Sequence, residues 1–146
     1  MIRPLTALVL LACAVPALAA PQAISVHSGW GAFRDGKRCY AIAEAEPSLA
    51  RGGLEPFASV SLAPDAPALQ LRLSRVIRTG SAVTLQVGNR RFRLSGEGAT
   101  ATSRDVGNGG SRAVIAALRE ADTMVVHARD RRSRYFRDIY DLSGAP

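Results

Sequence analysis

Cysteine and histidine are scarce in this chain of 146 residues, which contains only two of each. A structural or catalytic metal centre needs three or four converging ligands, and none of the spacings HxH, HExxH or CxxC occurs. The glycine-rich run 107–110 lacks the Gly-Lys-Ser/Thr ending of a phosphate-binding loop. The sequence therefore predicts no metal site and no cofactor.

Long apolar runs are also missing, with one exception at the amino terminus. Residues 1–19 combine a positive Arg3, an apolar run too short to span a bilayer, and a small-x-small cleavage site. We interpret them as a secretory signal peptide cut after Ala19, which leaves a single mature domain, 20–146. Because no second apolar run exists, we expect no transmembrane span in the mature chain and a periplasmic location.

Two consequences follow for the cysteines. The stretch Leu10-Leu11-Ala12-Cys13 resembles a bacterial lipobox, and its use would instead make the mature chain an outer-membrane lipoprotein anchored through Cys13. Cleavage after Ala19 removes Cys13, so Cys39 then has no partner for an intramolecular disulfide, despite the oxidising destination. A disulfide to another chain stays open.

The hairpin around Trp30, the only tryptophan, determines what is expected of Cys39. Asp35-Gly36 is a strong signal for a two-residue hairpin loop, which would pair Ala32 with Cys39 and Trp30 with Ala41. A large indole over small side chains is a packing arrangement, so Cys39 is predicted to be a buried packing thiol. The alternative is a nucleophile activated by one of the two histidines, but no local signature marks an orienting group or an oxyanion site.

Short segments that alternate apolar and polar residues follow one another between turns. Residues 58–62, 69–73, 83–87 and 91–94 have this pattern, which is typical of half-buried antiparallel strands with one wet face. Ser111 can cap a helix that we place over 111–121. Many short strands with regular turns indicate a mainly β chain, a β-sandwich or barrel, carrying one short covering helix. The apolar stripe of the helix consists of Val114, Ile115, Leu118 and Ala121.

Several of these segments, taken in order, resemble a known family. Gly29-Trp30-Gly31, Arg38-Cys39-Tyr40-Ala41 and Phe57-Ala58-Ser59-Val60 precede the helix, and a terminal stretch of the form Asp-x-Tyr-x-Leu-x-Gly follows it. This combination resembles the invasion-associated locus B family of alphaproteobacterial envelope proteins. The resemblance implies an immunoglobulin-like antiparallel β-sandwich and an envelope location, and the family has no established catalytic residues. The motif residues are Trp30, Cys39, Tyr40, Asp138, Tyr140, Leu142 and Gly144.

The strongest candidate interaction site is the basic stretch RDRRSRYFR, residues 129–137, in a chain whose net charge is +7. Arginine presents forked donors to phosphate and carboxylate, and aromatic side chains add contact area. Export argues against nucleic acid as the physiological ligand, so anionic lipid, lipopolysaccharide or an envelope protein is the expected partner. The alternative is a solvated hairpin whose charges only maintain solubility. The candidate binding residues are Arg129, Arg131, Arg132, Arg134, Tyr135 and Arg137, which Arg72, Arg91 and Arg93 on wet strand faces could extend.

These observations favour an exported, non-enzymatic binding or accessory protein of the cell envelope. Two alternatives from other classes stay open. One is a periplasmic thiol-active protein or enzyme that uses Cys39. The other is a structural envelope protein that oligomerises through a strand edge. The sequence leaves the oligomeric state and the identity of the ligand undetermined.

Overall fold

The computed structural model describes residues 20–47, 53–63, 66–104 and 109–145. The predicted signal peptide, with the lipobox and Cys13, lies outside the described residues. The described part contains ten strands and one helix, in the order β1 (Gln22–His27), β2 (Trp30–Asp35), β3 (Arg38–Glu44), β4 (Phe57–Ser61), β5 (Ala68–Arg72), β6 (Val83–Val87), β7 (Arg90–Glu97), β8 (Thr100–Thr102), α1 (Gly110–Leu118), β9 (Thr123–Arg129) and β10 (Tyr135–Asp141).

The strands pair antiparallel throughout, in the order β1-β2-β3-β4-β5-β8-β7-β6-β9-β10. Strand β7 is shared between two layers. Its residues 90–94 pair with β6, and its residues 95–97 pair with β8. One layer therefore contains β1 to β5 and β8, and the other contains β6, β9 and β10. The prediction of a mainly β, antiparallel chain with one short helix is confirmed.

A single apolar core lies between the two layers. Strand alternation places Val60 and Leu71 of the first layer in it, together with Leu85 and Val126 of the second, and all four are almost completely buried. The opposite face of each of these strands is wetter, as the sequence pattern predicts. The outer face of the β6-β7-β9-β10 layer is consequently free to carry polar and charged side chains.

The predicted register of the β2–β3 hairpin is wrong by one residue on each strand. Asp35 pairs with Arg38, so the loop is Gly36-Lys37, and glycine takes the first loop position with φ at +58°. Cys39 consequently lies opposite Arg34, beyond the small residues under the indole, and it is exposed. The prediction of a buried packing thiol is therefore wrong, although Cys39 does lie on the face of the hairpin that was predicted.

The helix begins at Gly110, one residue before the predicted start, and ends at Leu118, three residues before the predicted end. Its cap is Gly109, in a left-handed conformation, and not Ser111. The Ser111 hydroxyl instead donates to the Ser103 carbonyl oxygen, 2.9 Å away, which ties the first turn to the loop after β8. Among the described residues no helix has the length and apolarity needed to cross a membrane. The predicted stripe is confirmed at Val114, Ile115 and Leu118, which are buried, while Ala121 lies beyond the helix and packs against the core.

Candidate functional site

The basic stretch forms the end of the β9–β10 hairpin, and Asp130 organises its turn. The Asp130 carboxylate is buried, and its Oδ1 accepts bonds from the backbone N–H groups of Arg132 (2.9 Å) and Arg134 (3.0 Å). The backbone N–H of Ser133 donates to the carbonyl of Asp130 at 2.9 Å. An aspartate that bonds the backbone two residues on is a recurrent turn device. We call residues 130–134 the Asp130 turn.

Arg134 is held inside this turn by an ion pair. Its Nη2 lies 2.8 Å from Asp130 Oδ2, and Arg75 Nη1 lies 3.3 Å from the same oxygen. Burial alone would raise the pKa of Asp130, but the bonds from Arg134 and Arg132 and the charge of Arg134 outweigh it and lower the pKa to about 2. The carboxylate therefore stays charged at physiological pH, and part of the Arg134 guanidinium is committed to structure.

Two arginines from a distant part of the sequence join the hairpin on the outer face of the second layer. Strand pairing aligns Arg93, Thr84, His127 and Arg137 in one row across β7, β6, β9 and β10. The adjacent row begins at Arg91 and continues through Gln86, Val125 and Ile139. Neither row contains a carboxylate. We call the surface formed by Arg91, Arg93, Arg129 and Arg137 the basic face.

The other predicted arginines have different positions. Arg131 and Arg132 are exposed in the Asp130 turn, at the end of the basic face. Arg72 lies on β5 in the other layer, between Phe57 and Thr100, so it does not extend the basic face. It lines a groove of about 700 Å³ that also contains Glu97 and therefore carries charges of both signs.

His127 lies within the basic face and senses its charge. Burial, followed by the positive charges of Arg91 and Arg137, lowers the pKa of His127 below its ordinary value of 6.5. The ring is therefore predominantly neutral at pH 7. Its Nδ1 is hydrogen-bonded to the Tyr135 hydroxyl, and the two rings stack with centroids 6.0 Å apart. The other ring nitrogen, Nε2, is buried, and it has no hydrogen-bond partner within the described residues.

A shallow depression of about 330 Å³ adjoins the basic face at His127 and Tyr135. Its other side is the segment before β6, which the hairpin holds in place, since Ile77 bridges Asp130 and the Arg78 N–H donates to the Arg129 carbonyl at 3.2 Å. The depression is lined by Arg78, Gly80, Ser81, Ala82, His127, Ala128, Arg129 and Tyr135.

No catalytic arrangement forms around Cys39 in the described part of the chain. His27 pairs with Trp30, which lies four residues, or about 13 Å along the strand, from the Arg34 that pairs with Cys39, and β2 separates the strands of His27 and Cys39. His127 lies on the outer face of the other layer. The described residues also contain no group of three or more His, Cys, Asp or Glu side chains that could hold a metal ion.

The motif around Trp30 and the carboxyl-terminal motif, which both contribute to the family resemblance, are in contact in the structure. The Trp30 Nε1–H donates to the carbonyl of Asp141 at 2.8 Å, and Asp138 Oδ2 accepts the N–H of Ser74 at 2.9 Å. Trp30 and Asp138 are both 2% exposed; the bond to Asp138 is buried and the bond to Asp141 is partly buried. These two motif residues therefore form hydrogen bonds within the fold. Of the other motif residues, Tyr140 and Leu142 are buried, Tyr40 stacks on Phe33, and Cys39 is exposed. Gly144 has a φ of +80°, and a Cβ atom at this position would lie 2.7 Å from the carbonyl oxygen of His27.

The fold defines a class of mainly β proteins in which a continuous antiparallel sheet folds into two layers around β7. The crystal structure of invasion associated protein B from Bartonella henselae is similar, with a TM-score of 0.60, 16% sequence identity, and coverage of 86% of this chain and 90% of that one. No protein-family model matches the chain, and no curated protein matches it in sequence. The likeness establishes the fold that the resemblance implied.

Sequence reasoning missed Asp130, Arg78 and His127 as members of this region. An aspartate side chain can accept a hydrogen bond from the backbone N–H two residues further on, which forms an Asx turn. The single aspartate within the run of arginines was therefore a signal that could have been used. The position of Arg78 carries no comparable signal, because it depends on a bridge between residues more than fifty positions apart.

Proposed function

We propose that this protein is an exported, non-enzymatic binding or accessory module of the bacterial cell envelope, and that it contacts anionic envelope components through the basic face. The observation that carries the proposal is the convergence of Arg91, Arg93, Arg129 and Arg137 on one sheet face whose two central rows hold no carboxylate. Like charges repel, so such a surface is stabilised when an anionic partner covers it.

Binding is favoured over catalysis by the chemistry of these side chains. A guanidinium is always charged in proteins, and it offers five N–H donors and no acceptor. It can therefore hold phosphate or carboxylate over a wide range of pH, but it does not exchange protons as an acid or base must. The envelope location is supported by the interpretation of residues 1–19 as an export signal and by the similarity in fold to an invasion associated protein.

The test is co-sedimentation of the signal-less protein with vesicles that contain anionic envelope lipid and lipopolysaccharide. A face variant carries Arg91→Gln, Arg93→Gln and Arg137→Gln. A matched control carries Arg34→Gln, Arg38→Gln and Arg72→Gln, which remove the same charge from the other layer. Each basic residue near an anionic surface contributes about 1 kcal/mol, so the face variant is expected to bind roughly a hundredfold more weakly.

Three outcomes bear on the proposal. Binding that is strong at low salt, weak at high salt and lost only in the face variant supports it, because exposed charges are screened beyond about 10 Å at 0.1 M salt. Equal losses in both variants would mean that only net charge matters and would contradict a specific face. The absence of binding at either salt concentration would also contradict it.

A second candidate function is self-assembly through a strand edge. Strand β1 ends the sheet, and two of its side chains, Ile24 and Val26, are 53% and 71% exposed. An uncharged edge strand with exposed apolar residues is a template for pairing with another strand. Light scattering over a range of concentrations distinguishes this candidate from a monomeric binder.

A further inference from the structure

Two arginines converge on one residue of the Asp130 turn. Arg78 Nη1 lies 3.3 Å from the Ser133 hydroxyl oxygen, and Arg129 Nη1 donates to the Ser133 carbonyl at 3.0 Å. Arg78 and Arg129 both line the depression beside His127 and Tyr135. Each guanidinium uses one donor on Ser133 and keeps others for a ligand, since arginine has five.

The position of Ser133 is fixed before any ligand arrives. Its φ is +61°, in the left-handed region that non-glycine residues seldom adopt. The bonds of Asp130 to the backbone on both sides of Ser133 hold this conformation. Conformations of this kind persist when the surrounding structure determines them, and they are frequent at ligand-binding sites. The two arginines are therefore oriented by a turn that is already rigid.

The convergence is not neutralised by the nearest carboxylate. Asp130 makes its ion pairs with Arg75 and Arg134, and within the described residues neither Arg78 nor Arg129 has a carboxylate partner. Two unneutralised guanidinium groups bonded to one serine repel each other unless an anion lies between them. Tyr135 also lines the depression and is 50% exposed, while its hydroxyl is bonded to His127 Nδ1 and its ring stacks on that of His127.

We propose that this depression is a discrete phosphate-binding subsite, in which Arg78 and Arg129 hold one phosphate group beside Tyr135 and His127. The inference rests on the proposed function and deepens it, because it assigns one ligand chemistry to one place next to the basic face. Paired, oriented guanidinium groups match the oxygens of a phosphate group in a way that dispersed surface charge does not. The phosphate can belong to a lipid headgroup or be free in solution.

The first arm of the test titrates inorganic phosphate into the signal-less protein and follows the ring resonances of the two histidines by NMR. His127 is in the depression and His27 is on β1 in the other layer, so His27 is an internal control. A saturable shift at His127 alone is the expected result. The affinity is expected to fall at least about tenfold in Arg78→Gln and in Arg129→Gln, since each removes a charge-assisted bond, and to be unchanged in Arg38→Gln.

Other results of this arm overturn the inference. Shifts that appear at both histidines, follow ionic strength, or occur equally with chloride would show only general screening. An unchanged affinity in both subsite variants would place the phosphate elsewhere. Arg78→Lys keeps the charge but loses the fork, and it should bind more weakly than the wild type and more strongly than Arg78→Gln. Unperturbed resonances in the rest of the spectrum establish that each variant is folded.

The second arm identifies the source of the phosphate and separates the two proposals. Vesicles with phosphomonoester headgroups are compared with phosphodiester vesicles of equal charge, using wild type, the face variant and Arg78→Gln. If monoester vesicles bind better and Arg78→Gln removes the difference, the phosphate is a headgroup. If free phosphate binds but the vesicles show no preference, the subsite takes a soluble ligand. If vesicles bind through the basic face while phosphate never shifts His127, the proposed function stands and this inference fails.

Discussion

At the scale of single residues, Asp130 determines the shape of the basic hairpin. It is the one acidic residue in a stretch with five arginines, and its carboxylate is used twice. Oδ1 accepts hydrogen bonds from backbone N–H groups of the turn, and Oδ2 forms ion pairs with Arg75 and Arg134. A negative charge is thus placed under a positive surface, where it organises the surface without neutralising Arg78 or Arg129.

The substitution Asp130→Asn is expected to lower the thermal midpoint and to weaken its dependence on acid. The folded-state pKa of about 2 lies below the ordinary value of 3.8, so the carboxylate stabilises the fold above about pH 4 and loses this effect as pH falls through 2. Thermal unfolding between pH 5 and pH 2 should therefore show a steeper decline for wild type than for the variant.

The control for this experiment is Asp35→Asn, which removes the same charge from the exposed β2–β3 hairpin. It should leave the decline between pH 4 and pH 2 close to that of the wild type. Parallel curves for wild type and Asp130→Asn would contradict the role assigned to Asp130.

The sequence predicts only some of the residues that form the candidate site. The alternating pattern predicts that Arg91 and Arg93 lie on a wet face, and in the structure Arg137 is exposed on β10 as well. Arg91, Arg93 and Arg137 share one face only because of the strand order β7-β6-β9-β10. This order is set by long-range packing and not by local sequence pattern. For the same reason the ion pair between Arg134 and Asp130 distinguishes Arg134 from its neighbours only in three dimensions.

At the scale of elements, β7 joins the two layers, and Gly96 lies where it changes partner. A Cβ atom at this position would lie 2.6 Å from Val83 Cγ2 and 2.8 Å from Ile77 Cδ1. Val83 is completely buried and Ile77 nearly so, so neither side chain has free volume behind it. The backbone of β7 must therefore pass close to the core, and glycine permits that approach.

The substitution Gly96→Ala is expected to destabilise the fold by about 1–3 kcal/mol, the usual cost of overpacking a core. The matched control is Gly29→Ala, where a Cβ would meet nothing within 4 Å and φ is not positive. Urea unfolding should show a lower midpoint for Gly96→Ala and a midpoint near that of wild type for Gly29→Ala. Equal midpoints for the two variants would mean that β7 has room to shift.

Element positions were predictable where pattern and packing agree. Alternation located β4 to β7, and Val87 pairs with Arg90 across the Gly88-Asn89 turn. The β2–β3 register was not predictable, because Asp35 and Gly36 can fill both loop positions, or Asp35 can form the last pair while Gly36 takes the first loop position, as it does here. In the observed register Cys39 lies opposite Arg34 and is exposed, whereas the predicted register placed it opposite Ala32 in the core. The helix start was missed because Gly109 and Gly110 both adopt positive φ, which a sequence pattern does not specify.

At the scale of the whole molecule, the two ends of the sheet differ. Strand β10 is bonded on its outer side, where the N–H of Glu46 reaches the Ile139 carbonyl at 2.7 Å. Within the described residues β1 pairs with β2 alone. The sequence of β1, QAISVH, has no lysine, acidic residue or proline to protect the edge, and its one irregularity is a register shift between Ala23 and Ser25.

If the second candidate function holds, the average mass of the signal-less protein should rise with concentration towards that of a dimer in light-scattering measurements. Val26→Lys places a charge on the open edge and is expected to keep the protein monomeric at the same concentrations. Thr123→Lys adds the same charge to β9 in the other layer and should not change the association. A constant monomer mass for wild type would exclude pairing through β1.

The bond between the Trp30 indole and Asp141 gives the molecule an optical reporter of its own topology. The fluorophore lies near the beginning of the described chain, and the carbonyl that holds it belongs to the last strand. Because the sequence has no other tryptophan, the emission wavelength reports on the solvation of this one interior position. Release of β10 would expose the indole to water and shift the emission to the red. Detachment of the carboxyl-terminal strand can thus be followed in real time without any attached dye.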